Sequence, residues 1–125
     1  MTDQLIEESQ KLFSEGNIDG AIDLLKPLVD AGNLVAKSNM GLFLCYGKNT
    51  DRLERLQEGE RYLIEACEAG EPSACHNLGT LWLGNSPALG RDRKKAAYYY
   101  LKARELGGPI ANEEFYAEWE QEIDG

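Results

Sequence analysis

Gly70-Glu71-Pro72-Ser73-Ala74 recurs in the same register as Gly32-Asn33-Leu34-Val35-Ala36, 38 positions earlier, and as Gly107-Gly108-Pro109-Ile110-Ala111, 37 positions later. Three further sets of positions repeat in step with these stretches: Ala21, Gly59 and Ala96; Leu25, Leu63 and Tyr100; Leu28, Ala66 and Ala103. A fixed period in this range is typical of a solenoid, in which each helical hairpin buries its apolar face against its neighbours. The sequence therefore predicts an all-α solenoid.

Apolar residues recur with helical periodicity along the whole chain, and strand-like alternation does not occur. We expect one domain over residues 1–125, with helical hairpins at about 2–31, 33–69 and 72–107 and a C-terminal capping helix at 109–124. Gly32, Gly70 and Gly107 each follow the second helix of a hairpin, where a left-handed cap is needed. These positions therefore mark the ends of the repeats.

Two glycines one period apart, Gly41 and Gly79, indicate where helices meet closely. A missing side chain inside a helix is explained if the following helix packs against the backbone there. Tyr116 occupies the same register in the last segment, where its bulk would block such an approach. We therefore expect the array to end with that segment.

The charge is uneven, with a formal net charge of −9 at pH 7. Residues 1–23 hold six acids against Lys11, and residues 112–125 hold six acids and no base. Acidic ends argue against binding to nucleic acid or anionic membranes, which attract basic surfaces, and they suit a basic protein partner. The alternative explanation is that the acidic ends only keep a small protein in solution.

The N-terminus is acidic and lacks the basic and apolar regions of a signal peptide, and no apolar stretch is long enough to span a membrane. We therefore expect a cytoplasmic protein, present as a monomer or weak dimer.

The last full hairpin resembles a Sel1-like repeat, a branch of the tetratricopeptide class of α/α repeats. The resemblance rests on Ala74, Leu78-Gly79, Leu81-Trp82, Gly84, Asp92-Arg93-Lys94-Lys95-Ala96, Tyr99 and residues 102–107. The preceding hairpin is similar at Ala36, Met40-Gly41, Phe43-Leu44, Gly47, Gly59, Tyr62 and residues 65–70. The resemblance implies a right-handed α/α solenoid that serves as a binding scaffold and is usually non-enzymatic.

The spacing of Cys67 and Cys75 resembles that of the cysteine-rich branch of Sel1-like proteins, in which a disulfide joins adjacent hairpins. The equivalent positions in the flanking repeats hold small or apolar residues that suit a packed contact without a bond. Without a signal peptide the reduced state is favoured, and the disulfide stays an alternative. Cys45 is unpaired in either case.

Few residues point to catalysis, and no cofactor or metal is expected. His76 is the single histidine, and the sequence identifies no nucleophile beside it. A metal site built from His76 and the three cysteines has spacings unlike the usual zinc motifs. A hydrolase centred on His76 is retained only as a lesser alternative.

In this architecture the first helix of each hairpin lines the concave surface, which is where a partner binds. The expected partner-binding side chains point into that concavity from three helices: Phe13, Ser38, Leu42, Tyr46, His76, Thr80 and Leu83. Exposed apolar side chains there would act as anchors, although tight curvature could instead bury them against one another.

We therefore predict a non-enzymatic interaction module. Its most concrete form is a small acidic bacterial immunity protein or adaptor that occludes a basic protein. A redox-linked module that uses Cys67 and Cys75 is the alternative from another class.

Overall fold

The computed structural model describes residues 2–46, 53–85 and 92–108. These residues form six α-helices: α1 (Thr2–Ser14), α2 (Ile18–Asp30), α3 (Leu34–Tyr46), α4 (Leu53–Glu68), α5 (Pro72–Thr80) and α6 (Arg93–Glu105). One π-helical turn, Leu81–Asn85, follows α5. No strand occurs in the described ranges, so the all-α prediction is confirmed. The expected capping helix at 109–124, with Tyr116, lies outside the described residues.

Local residues explain where the helices begin and end. Asn17 caps α2 by accepting a hydrogen bond from the Gly20 amide at 3.0 Å, and Asp92 caps α6 through the Lys95 amide at 3.1 Å. Such caps satisfy amides that have no partner within the helix. Gly32, Gly70 and Gly107 have φ of +88°, +102° and +82°, which confirms the predicted left-handed caps.

The helices pack as successive hairpins, α1–α2, α3–α4 and α5–α6, and each second helix also packs on the first helix of the next hairpin. The first helices contact one another directly, α1 with α3 and α3 with α5. Between the second helices α2 and α4, contact includes an ion pair of Asp19 with Arg55 at 3.6 Å. This closer approach of the first helices is what a concave surface on their side requires.

The described part of the core consists of aligned aliphatic and small residues in three clusters along the array. Leu25, Leu63, Ala66 and Ala103 are fully buried at positions that the period had aligned. Tyr100, in register with Leu25 and Leu63, is also buried, at 4% exposure. The repeat period therefore identified core positions in all three hairpins.

Close helix packing at the two glycines is confirmed. A Cβ atom built on Gly41 would lie 2.8 Å from the Gly59 carbonyl oxygen, and one built on Gly59 would lie 2.7 Å from the Gly41 carbonyl oxygen. At Gly79 the neighbour is the Tyr100 ring, 2.9 Å from the built Cβ. Both glycines therefore make room for the helix that follows.

The first helix of the third hairpin changes form before its end. The α-helical part of α5 stops at Thr80, and the π turn carries Leu81 into the core while Trp82 and Leu83 stay half-buried. The carbonyl of Trp82 then accepts a hydrogen bond from the Asp92 amide at 2.9 Å. Among the described residues, none of the helices has the length and apolar character needed to span a bilayer.

Candidate protein-binding surface

Ser38 does not lie on an open surface, contrary to its prediction as a partner-binding residue. Its side chain is 1% exposed, and its Oγ lies 3.0 Å from Ser73 Oγ on α5. The prediction placed Ser38 in the concavity, but the neighbouring first helix packs over it. Phe13, also predicted there, is half-buried and stacks on Phe43 with ring centroids 4.4 Å apart, so its ring belongs largely to the core.

The α5 side chains that were predicted to bind a partner contact α6. Thr80 Oγ1 lies 2.7 Å from Tyr100 Oη, and the His76 ring meets the Tyr100 ring edge-on at 5.1 Å. Burial lowers the pKa of His76, and its Nδ1 has no hydrogen-bond partner among the residues that the structure describes. Leu83 packs against the buried cluster of α6. The structure thus gives these side chains mainly internal contacts.

Leu42 remains at the predicted place, half-buried on the inner side of α3 and packed against the core of the first two hairpins. The helix α3 extends through Tyr46, whose side chain lies outside the described part of the chain. The roles of these two residues in binding stay predictions.

Apart from Leu42, the predicted set differs from the side chains that form the accessible surface of the first helices. We call it the inner surface, and it consists of Asp3, Glu7 and Gln10 of α1, Val35, Asn39 and Leu42 of α3, and Asn77 of α5. Gln10 Nε2 donates to Asn39 Oδ1 at 3.5 Å, which places α1 and α3 side by side there. Val35 is 41% exposed. The surface is therefore mostly polar, with isolated apolar side chains.

Sequence reasoning missed most of the inner surface. Asn39 and Asn77 are 38 residues apart, so the repeat itself carried a signal for this amide pair. Asn77 Nδ2 donates to Ser38 Oγ at 3.5 Å, and Asn39 Nδ2 donates to the Val35 carbonyl at 3.2 Å. The prediction looked for apolar anchors and therefore chose the face of α3 that carries Ser38, which the neighbouring hairpin covers.

Cys67 and Cys75 form a disulfide in the structure, which departs from the reduced state that the sequence favoured. The inter-repeat turn brings the end of α4 beside the start of α5, with the two Cα atoms 4.8 Å apart, within the range that a disulfide allows. The two side chains are 1% and 0% exposed. The bond thus crosslinks two consecutive hairpins inside the core.

The free cysteine, Cys45, is buried and chemically protected. Burial, with a smaller contribution from the nearby Glu60 carboxylate, raises the pKa of Cys45 to about 12. Glu60 itself has a raised pKa because burial disfavours its charge, an effect that Lys95 partly offsets. Since the thiolate is the reactive form, Cys45 is unsuited to nucleophilic or redox chemistry near neutral pH.

The arrangement around His76 contains few parts of a catalytic site. Among the described residues no hydroxyl, thiol or carboxylate is hydrogen-bonded to its ring, and no group of three acidic, histidine or cysteine side chains is placed to hold a metal ion. General acid–base catalysis needs a positioned partner within hydrogen-bond reach. The hydrolase alternative therefore gains no structural support.

The matched repeats coincide with the second and third hairpins. The Sel1 repeat family model matches residues 34–71, which contain α3 and α4, and residues 72–108, which contain α5, the π turn and α6. The chain belongs to the Sel1 repeat family. No curated protein and no solved structure is significantly similar to it. Sel1 repeats generally mediate protein–protein interactions and are typically non-enzymatic.

Proposed function

We propose that this Sel1 repeat protein is a small, acidic, non-enzymatic bacterial protein that binds a basic protein through its inner surface, as an immunity protein or adaptor in the cytoplasm. The observation that carries the proposal is the charge of that surface. Asp3 and Glu7 lie on it, and among the described residues no lysine or arginine lines the cleft that these two carboxylates border.

The nearby cations are engaged or lie elsewhere. Lys37 of α3 pairs with Glu65 of α4 at 3.2 Å, and Lys11, one turn after Glu7 on α1, lines a second cleft that shares Glu7 with the inner surface. An acidic surface without competing cations attracts a basic partner, speeds association and disfavours acidic competitors. The acids of residues 1–23 extend the same negative field over the first hairpin.

The proposal is tested by capture from the host lysate at low and high salt, followed by measurement of affinity for the recovered protein. The test variant is Asn39→Lys, which adds a cation to the centre of the inner surface. The matched control is Gln57→Lys, the same kind of change at an exposed position of α4. We expect one basic protein, bound one to one and released by salt, whose affinity falls at least about tenfold in Asn39→Lys alone.

Two outcomes would count against this function. Equal loss of affinity in both variants would show that net charge alone drives the interaction. Unchanged binding in Asn39→Lys would place the partner on another surface.

A second candidate function rests on the disulfide. The bond of Cys67 to Cys75 joins the two Sel1 repeats, so its reduction would loosen the junction that aligns their inner helices. Alkylation of the denatured, unreduced protein tests whether the bond exists in the cell. One modified cysteine per chain supports a redox-linked module, and three modified cysteines exclude it.

A further inference from the structure

A small cleft opens between α1 and the start of α3, at one end of the inner surface. Its volume is about 220 Å³, and it is lined by Asp3, Ile6, Glu7, Asn33 and Val35. Sites for drug-sized ligands usually exceed about 300 Å³. The cleft is therefore of a size to hold one side chain of a partner rather than an independent small molecule.

Two carboxylates border the cleft. Asp3 and Glu7 are four residues apart on α1, so they lie on the same side of the helix one turn apart. Both are exposed, and neither forms an ion pair with a cation in the described ranges. The cleft therefore presents two carboxylates that a charged group from outside can reach.

Aliphatic side chains provide the remaining walls. Ile6 is 8% exposed and forms a buried base, whereas Val35, at 41%, is one of the few large apolar residues exposed in the described part of the chain. Lysine and arginine bury an aliphatic stem against apolar surface while their charged ends stay in a polar setting. The cleft offers both environments: Ile6 and Val35 can contact the aliphatic stem, and the two carboxylates can contact the charged end.

The alternative explanation of the carboxylates is structural, because negative charge near a helix N-terminus is stabilising. Asp3 lies in the first turn of α1, and the cleft adjoins the first turn of α3. The latter end is already capped, since Asn33 Oδ1 accepts a hydrogen bond from the Ala36 amide at 2.9 Å. A role at a helix N-terminus therefore does not explain why Glu7 borders the cleft.

We propose that this cleft binds a single lysine or arginine side chain of the basic partner, with the stem against Ile6 and Val35 and the cationic end between Asp3 and Glu7. The inference rests on the proposed function and specifies where the partner's positive charge is recognised. It also explains why the exposed valine and the two carboxylates occur together.

The test is a titration of the isotope-labelled full chain, followed by NMR, with three capped peptides: acetyl-Gly-Gly-Lys-Gly-Gly-amide, its arginine counterpart and its neutral citrulline counterpart. We expect saturable shifts of the Ile6, Glu7 and Val35 amides with the cationic peptides and none with citrulline. The stronger of the two cationic peptides identifies the preferred charged end.

Two matched variants distinguish binding at the cleft from a general effect of the negative charge on α1. Asp3→Asn/Glu7→Gln removes the carboxylates of the cleft, and Glu8→Gln/Glu15→Gln removes the same charge from α1 at two positions that do not line it. Exposed ion pairs contribute about 0.2–1 kcal/mol each. We therefore expect the dissociation constant to rise roughly fivefold in the first variant and less than twofold in the second.

Each result bears on the cleft independently of the wider function. Equal shifts with citrulline, or equal weakening in both double variants, would overturn the cleft as a cation site. A variant Asp3→Asn/Glu7→Gln that melts earlier yet binds the cationic peptides normally would also overturn it and leave only the role at helix ends. A basic protein captured through the Asn39 region, without peptide binding at the cleft, would contradict the cleft while supporting the proposed function.

Discussion

The second and third hairpins are both Sel1 repeats, yet their helices meet in different ways. In the second hairpin, α3 and α4 cross at Gly41 and Gly59, where each backbone occupies the place of the other's missing side chain. In the third hairpin, the position equivalent to Gly59 is Ala96, and the Tyr100 ring fills the space above Gly79. One repeat pattern therefore accommodates two packings, one between backbones and one between a backbone and a ring.

This difference has an energetic consequence. Backbone atoms on two helices cannot move apart without separating the helices, whereas a ring can rotate or shift by a few tenths of an ångström. We therefore expect the second hairpin to tolerate added volume less well than the third.

The largest effect is expected from Gly59→Ala. The new methyl group would lie 2.6 Å from Cys45 Sγ and 2.7 Å from the Gly41 carbonyl oxygen. We expect a loss of about 3 kcal/mol in the free energy of unfolding, since overpacking outweighs the gain of about 1 kcal/mol in helix propensity. Gly79→Ala, whose methyl group meets the Tyr100 ring, should cost only about 1 kcal/mol. Urea denaturation measures both, and equal costs would contradict the comparison.

The next effect concerns the crosslink between the two hairpins. Cys67→Ala/Cys75→Ala removes a bond that closes a loop with a sequence separation of 8, and we expect about 2 kcal/mol of destabilisation from the less restricted unfolded chain. The control is Cys45→Ala, which removes a buried thiol outside the bond. Reductant should lower the melting temperature of the wild type and of the control, but not of the double variant. An identical response in all three proteins would show that the bond is not formed.

A smaller effect isolates the ring in the third hairpin. Tyr100→Phe keeps the ring over Gly79 but removes the hydroxyl that lies 2.7 Å from Thr80 Oγ1. We expect a loss of about 1 kcal/mol, the usual net value of such a hydrogen bond. Tyr98→Phe, at a side chain that is 54% exposed, should change the free energy of unfolding by less than about 0.5 kcal/mol. Thermal denaturation compares them, and a neutral Tyr100→Phe would mean that packing alone holds the ring.

The smallest effect is the pH dependence that Cys45 gives the second hairpin, since Leu83 occupies the same register in the third. The pKa of the Cys45 thiol is raised from 9.0 to about 12 by burial, so the folded protein holds this proton where the unfolded chain releases it. Its contribution to stability is complete near pH 7, begins to fall as the pH approaches 9 and is lost progressively up to about pH 12.

From pH 7 to pH 9 the loss should be about 0.4 kcal/mol. Comparison of wild type with Cys45→Ala across that range isolates this contribution from other titrating groups. Parallel pH profiles for the two proteins would contradict the raised pKa.

Much of the fold could be predicted because repeats encode it locally and several times over. The glycine after each second helix and the aligned core positions each depend on a few neighbouring residues, and the structure places them as the period indicates. The π turn after Thr80 was not predictable, because nothing in the local pattern of Leu81 and Trp82 distinguishes it from a continuing α-helix.

The candidate site was predicted less well, since exposure depends on the neighbouring hairpin. Ser38 and Asn39 are adjacent polar residues on α3, yet α5 covers one and leaves the other accessible. Phe13 was expected to anchor a partner, but its ring stacks on that of Phe43. A rotation of about 100° per residue around a helix separates a core position from a surface position, and the repeat period alone does not fix that rotation.

The sequence by itself determined the repeat, the helices and the family, because period, caps and small residues act within one hairpin. Only the tertiary structure decided which face of α3 stays open, that Cys67 reaches Cys75, and that Asp3, Glu7 and Val35 border one cleft. These features depend on how two helices from different hairpins are placed against each other. That placement follows from packing the whole array and from no single stretch of the chain.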